Sequence, residues 1–117
     1  MKLPRSQGAI VPEEKITGYL LSESHPVGRA KARYFKKIGY GEENIAQLGE
    51  DLIKIAVSNA VSEEVRTVFG VKYIVDGTVV SPAGIRARLR TVWIIETGES
   101  LPRFVTAYPA GEKTIKE

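Results

Sequence analysis

Val71-Lys72-Tyr73-Ile74-Val75-Asp76-Gly77-Thr78-Val79-Val80 is the stretch whose reading decides the fold. Two runs rich in β-branched and aromatic residues, 71–75 and 78–80, flank Asp76-Gly77, a dipeptide that favours tight hairpins because glycine supplies the positive φ such turns need. Ser81-Pro82-Ala83-Gly84 follows as a second turn and opens a long strand from Ile85 to Glu96. Thr97-Gly98-Glu99-Ser100 is a third turn, before a last strand from Arg103 to Tyr108. Connections this short exclude parallel crossovers, so the second half reads as an antiparallel meander, with Val65 to Val68 as a further edge strand.

The first half keeps a different period. Pro4, Gly8 and Pro12 punctuate a lead-in over residues 1–12, with Ile10 and Val11 as a short strand. Glu13 to Leu21 reads as a short helix whose Ile16, Tyr19 and Leu20 share a face. A second helix runs from Pro26 to Ile38 and stops at Gly39, a left-handed terminator. A third, from about Glu43 to Asn59, repeats Ile45, Leu48, Leu52, Ile55 and Ala56 at three-four spacing. The expectation is one α+β domain over 1–117, with lead-in 1–12, helical half 13–60, sheet half 61–109 and flexible tail 110–117. About three helices pack on one face of a three- to four-stranded antiparallel meander sheet.

Composition narrows the chemistry. With no cysteine and one histidine in 117 residues, disulfides, thiolate zinc sites, iron–sulfur clusters and cysteine nucleophiles are excluded. A two-metal nuclease or zinc hydrolase is disfavoured, no glycine pattern makes a Walker loop or dinucleotide fingerprint, and no cofactor and no metal are expected. The chain has neither the apolar stretch of a signal peptide nor the roughly 20 apolar residues of a membrane span, so a cytoplasmic protein without a membrane partner is expected. Net charge is +3, and the cations cluster on the second helix and at Arg86, Arg88 and Arg90, which points to an anionic partner.

On the second helix, Val27, Ala30, Tyr34, Phe35 and Ile38 form an apolar arc opposite Arg29, Arg33, Lys36 and Lys37. Lys31 projects into the middle of the apolar arc, where a lysine either snorkels to water or lines a polar pocket. His25 stands before that helix, as a turn residue or as a general acid–base group. Along the long strand, Ala87, Leu89, Thr91, Trp93 and Ile95 share one face, Trp93 in the core. The other face begins with Arg86, Arg88 and Arg90, about 7 Å apart, which is either a phosphate track or a solvated face. Thr106 and Tyr108 share a face of the last strand and end near each other, two hydroxyls able to contact phosphate or sugar, or simply good strand formers.

The order of Met1-Lys2-Leu3-Pro4, Lys15-Ile16-Thr17-Gly18-Tyr19-Leu20-Leu21, His25-Pro26, Gly28-Arg29, Lys31-Ala32 and Tyr34-Phe35 resembles a bacterial family of unknown function, found alone and as C-terminal modules of polymorphic toxins and adhesin-like proteins. Gly70-Val71-Lys72-Tyr73, Asp76-Gly77, Arg90-Thr91-Val92-Trp93, Pro102-Arg103 and Val105-Thr106-Ala107-Tyr108-Pro109 carry the same resemblance through the second half. The layout also resembles, more remotely, the barnase, EndoU, colicin and RelE group of ribonuclease toxins, which implies RNA cleavage without metal around a sheet. By position that likeness implies His25, Lys31, Arg90, Thr106 and Tyr108 as catalytic residues.

The leading expectation is a toxin-like ribonuclease acting on RNA, such as tRNA or mRNA, through a 2′,3′-cyclic phosphate. His25 would act as base, Lys31 and Arg90 would stabilise the phosphorane, and Thr106 and Tyr108 would position phosphate or ribose. Arg29, Arg33, Arg86 and Arg88 would hold flanking phosphates, and an acidic cognate inhibitor, or antitoxin, would cover the basic face. The rival expectations are a non-catalytic module gripping RNA or an acidic protein partner through that face, and a structural protein whose lysine is merely amphipathic.

Overall fold

The computed structural model describes residues 1–110, so the expected tail lies, but for Ala110, outside the described residues. Four strands, β1 (Val61–Thr67), β2 (Gly70–Val80), β3 (Arg86–Glu96) and β4 (Arg103–Pro109), form one antiparallel sheet in sequence order. Ahead of them come a short helix α1 (Glu13–Lys15) that widens into a π-helical turn (Ile16–Leu20), then α2 (Gly28–Lys37) and α3 (Ile45–Ser58). The α+β meander expected from the sequence is therefore the observed architecture. No helix among the described residues is long and apolar enough to cross a membrane.

One core joins the layers. Leu20, Phe35, Leu48, Leu52 and Ile55 from the helices meet Val75, Leu89, Trp93, Phe104 and Ala107 from the sheet, all essentially buried. Trp93 lies in this core as expected, and its indole N–H donates to Thr91 Oγ1 at 2.8 Å. The Thr91 hydroxyl passes its own proton to the Val75 carbonyl, so neither buried polar group is left unpaired. Asp51, 7 % exposed on α3, is similarly satisfied: its carboxylate accepts from Tyr40 Oη at 2.5 Å and Gln47 Nε2 at 2.8 Å.

Asp76-Gly77 is not a turn. Both residues lie inside β2, where Asp76 pairs with Arg90 and Gly77 with Leu89 across the ladder to β3. A Cβ on Gly77 would meet the side chains of Asn59 and Ile55 at 2.7–2.9 Å. The glycine is there because α3 lies directly on the strand, and a bare backbone permits that approach. The first hairpin instead turns at Val68-Phe69, where Thr67 Oγ1 accepts the N–H groups of Phe69 and Gly70 and donates to the Gly70 carbonyl. The edge strand is accordingly longer than Val65 to Val68.

The inward face of α2 also differs from the expected arc. Gly28, Ala32 and Phe35 are buried, with Ile38 just past the helix, whereas Val27 and Ala30 are exposed. Gly28 acts as a small contact residue that helical wheels count as neutral: a Cβ there would stand 2.3 Å from the Tyr19 carbonyl oxygen. Gly39, at φ +113°, ends the helix as expected. Ile10 contributes an isolated parallel bridge to Arg103 rather than a strand.

Three substitutions test this packing. Gly28→Ala gains about 1 kcal/mol of helix propensity but must displace backbone, a cost of about 1–3 kcal/mol or more, so urea denaturation should show net destabilisation. Gly18→Ala, whose Cβ meets nothing within 4 Å, should be neutral or slightly stabilising. For Tyr40, burial first and the Asp51 hydrogen bond second raise the phenol pKa. The folded state thus holds this proton more tightly than the unfolded one, and the contribution is present below pH ~10 and lost as pH rises further. Tyr40→Phe should lose about 1–3 kcal/mol at neutral pH, and the gap to wild type should narrow above pH ~10.

Candidate functional site

The π-helical turn and α2 are pressed together where Gly28 meets the Tyr19 carbonyl, and this contact sets what lies around Tyr19. Ahead of α2, the imidazole of His25 caps the chain's entry: Nδ1 accepts the N–H groups of Val27 at 3.0 Å and Gly28 at 2.9 Å. Two donors aimed at one ring nitrogen assign it the lone pair, so the neutral ring carries its proton on Nε2. His25 is thereby a turn and cap residue that presents a donor, not an acceptor. Its ring stands edge-on to Tyr19, with centroids 5.1 Å apart.

Tyr19 gathers the rest. Its hydroxyl is 2.9 Å from Thr106 Oγ1 on β4, and the ammonium groups of Lys15 and Lys31 lie over its ring at 5.0 and 5.7 Å from the centroid. Lys31 Nζ is also 5.9 Å from the Tyr108 ring, so this half-buried cation is held by two aromatic rings. Among the described residues neither Lys15 nor Lys31 has a carboxylate partner. Lys15 Nζ donates to the Val105 carbonyl at 3.0 Å. The β3–β4 ladder passes from Val92↔Thr106 to Trp93↔Phe104, so Val105 is the extra residue of a β-bulge.

Arg90 is the cross-strand neighbour of both Asp76 and Tyr108. Its guanidinium donates twice to Asp76, Nε to Oδ1 at 2.9 Å and Nη2 to Oδ2 at 3.0 Å. That bidentate bond chiefly raises the Arg90 pKa, burial opposes it, and Tyr108 adds a smaller favourable interaction. Most of the arginine's charge is therefore answered within the protein. Arg86 and Arg88, four and two residues earlier on the same strand face, are exposed and have no ion pair among the described residues. Arg29 and Arg33 are exposed on α2; Arg29 meets the cluster through its backbone N–H, which donates to the His25 carbonyl at 3.0 Å, and neither guanidinium has a hydrogen bond or ion pair to the cluster among the described residues.

His25, Lys31, Thr106, Tyr108 and Arg90, expected from the sequence, are thus joined by a chain of contacts, whereas among the described residues the side chains of Arg29 and Arg33 are not part of it. Lys15 and Tyr19 were not among the expected residues, because an i, i+4 lysine–tyrosine pair on a short helix reads as a solvated stem beside a core aromatic. The available signal was their place in the run Lys15 to Leu21. Among the described residues no group of three histidine, aspartate or glutamate side chains is placed to hold a metal ion. Grooves lined by Thr17, Leu21, Glu42 and Ile45, and by Val11, Ile16, Gly49 and Ile53, contain none of the candidate residues.

A family model described as a domain of unknown function, DUF6883, matches residues 2–111, and the chain belongs to that family. No curated protein matches. Among solved structures, a chain of a contact-dependent growth inhibition toxin–immunity protein complex from Klebsiella pneumoniae 342 is similar at a TM-score of 0.70. The match covers 92% of this chain and 97% of that one at 17% identity, so what is common is the fold.

The cap assignment predicts that His25→Ala loses about 0.5–2 kcal/mol of stability, measured by urea denaturation, while His25→Asn, whose amide oxygen can accept the same N–H groups, recovers most of it. Nitrogen NMR of the neutral imidazole should show Nδ1 unprotonated. A protonated Nδ1 would overturn the assignment.

Proposed function

We propose that this member of the family is a toxin-like domain that cleaves RNA without a metal, through a 2′,3′-cyclic phosphate. The observation that carries the reading is Lys31: a half-buried ammonium with no carboxylate partner among the described residues, held over the rings of Tyr108 and of Tyr19, whose hydroxyl is hydrogen-bonded to Thr106. A cation kept in place by neutral rings retains its charge for an incoming anion. In support, the solved chain of like fold comes from a toxin–immunity protein complex.

In the reaction, the ribose 2′-oxygen forms a bond to the adjacent phosphorus and the bond from phosphorus to O5′ breaks. The 2′-proton leaves to water, and Lys31 stabilises the phosphorane and returns a proton to O5′. The sequence alone suggested that His25 takes the 2′-proton. With Nδ1 occupied by the helix cap, its Nε2–H instead donates to a phosphate oxygen. Thr106 and Tyr108 position phosphate and ribose. Arg90, answered by Asp76, holds Tyr108 rather than the phosphorane. Arg86 and Arg88 take flanking phosphates, with Arg29 and Arg33 as outlying basic residues, and an acidic inhibitor protein would cover the same surface.

The missing free imidazole lone pair favours a second reading, a non-catalytic module that grips RNA or an acidic partner. Incubation of purified wild type and Lys31→Ala with total RNA in EDTA separates the two. Cleavage with cyclic phosphate ends, reduced about a hundredfold or more in Lys31→Ala, is expected. Intact RNA with wild-type protein across pH and salt would overturn the ribonuclease reading, and equal cleavage by both proteins would remove Lys31 from the mechanism.

A further inference from the structure

Lys15 and Tyr19 have no role in that mechanism, yet their placement is more constrained than a solvated helix turn requires. Glu13 and Glu14 precede Lys15 on the same turn, but its ammonium forms no ion pair with either and spends one donor on the carbonyl of Val105, the extra residue of the β4 bulge. An ammonium has three donors, so others remain. In the Tyr19–Thr106 pair one hydroxyl donates to the other, which leaves the acceptor's own proton free. Lys31 Nζ stands over the same ring. The local groups thus offer N–H and O–H donors and two positive charges. Two cations brought to one ring without a carboxylate repel each other, and a bound anion removes that cost. The π-helical turn that presents Tyr19 and the bulge that presents Val105 are both irregularities that recur at functional sites.

We infer that Lys15 and the Tyr19–Thr106 hydroxyl pair form a phosphate seat on β4, taking a phosphodiester group of single-stranded nucleic acid next to the one that Lys31 meets. Lys15 and the Tyr19 hydroxyl contact the phosphate, and the Tyr19 ring positions both ammonium groups. The seat rests on the reading above only in taking RNA as the natural ligand. It binds whether or not the site cleaves, because a phosphodiester carries the same charge with or without a 2′-hydroxyl.

The test uses a single-stranded 2′-deoxy oligonucleotide, which cannot react through a 2′-oxygen, and measures affinity against salt by fluorescence anisotropy. Lys15→Gln should bind about tenfold more weakly, the loss of one charge-assisted hydrogen bond, with a salt slope smaller by about 0.7, the value for one phosphate on a single strand. Lys54→Gln, which removes the same charge from an exposed position on α3, should leave the slope unchanged. Tyr19→Phe keeps the ring and loses the hydroxyl, so it should weaken binding with an unchanged slope. Tyr19→Leu should weaken it further, and circular dichroism verifies folding for every variant. Equal affinity and slope for wild type and Lys15→Gln would overturn the seat, even were RNA cleaved normally. Lys15-dependent binding with no RNA cleavage would uphold the seat and sink the ribonuclease reading instead.

Discussion

The contact between Gly28 and the carbonyl of Tyr19 is the constraint on which the candidate site depends. With any side chain at position 28, α2 would be pushed off the π-helical turn, since a Cβ would stand 2.3 Å from that oxygen. His25 and Lys31 lie three residues to either side of Gly28, so the same displacement would carry the imidazole and the ammonium from the Tyr19 ring. Gly77 does the equivalent for the other layer, letting α3 lie on β2 where Ile55 and Asn59 would meet a Cβ. In both cases a glycine is kept for proximity rather than for an unusual φ, and the loss of helix or strand propensity is offset by closer packing.

That is also why the sequence was legible only in part. Element types and the meander order follow from periodicity, since burying one face of a strand or helix imposes a repeat of two or about 3.6 whatever the partner. Asp76-Gly77 misled because local statistics know turns and not the helix above a strand. The face of α2 was misplaced for the same reason: Gly28 and Ala32 add nothing to a hydrophobic arc, yet they mark where two backbones touch. Lys31 was readable because a lysine among apolar neighbours is anomalous on its own helix. Tyr19 and Lys15 were not, because what distinguishes them is a bulge at Val105, ninety residues away for Lys15.

The donor inventory around Tyr19 decides what kind of ligand the arrangement suits. A catalytic acid–base pair needs one group with a free lone pair. His25 has its Nδ1 lone pair filled by two backbone N–H groups, and the nearby carboxylate, Asp76, is filled by Arg90. What remains are N–H and O–H donors, which match the oxygens of a phosphate and nothing positively charged.

The Asp76–Arg90 pair then sets one cation apart from the others. Three arginines alternate along β3, and charge alone would rank Arg90 with Arg86 and Arg88. The bidentate bond separates it from them: removing the guanidinium from Asp76 to serve a phosphate would leave a carboxylate that is only 16% exposed without its partner, which costs more than a surface arginine gains from one phosphate. Lys31 faces no such trade, because the rings that hold it lose little when an anion approaches. Beside Tyr19, the charge left unanswered is therefore that of Lys31 on the helix rather than that of Arg90 on the sheet, while Arg86 and Arg88 stay exposed further along β3.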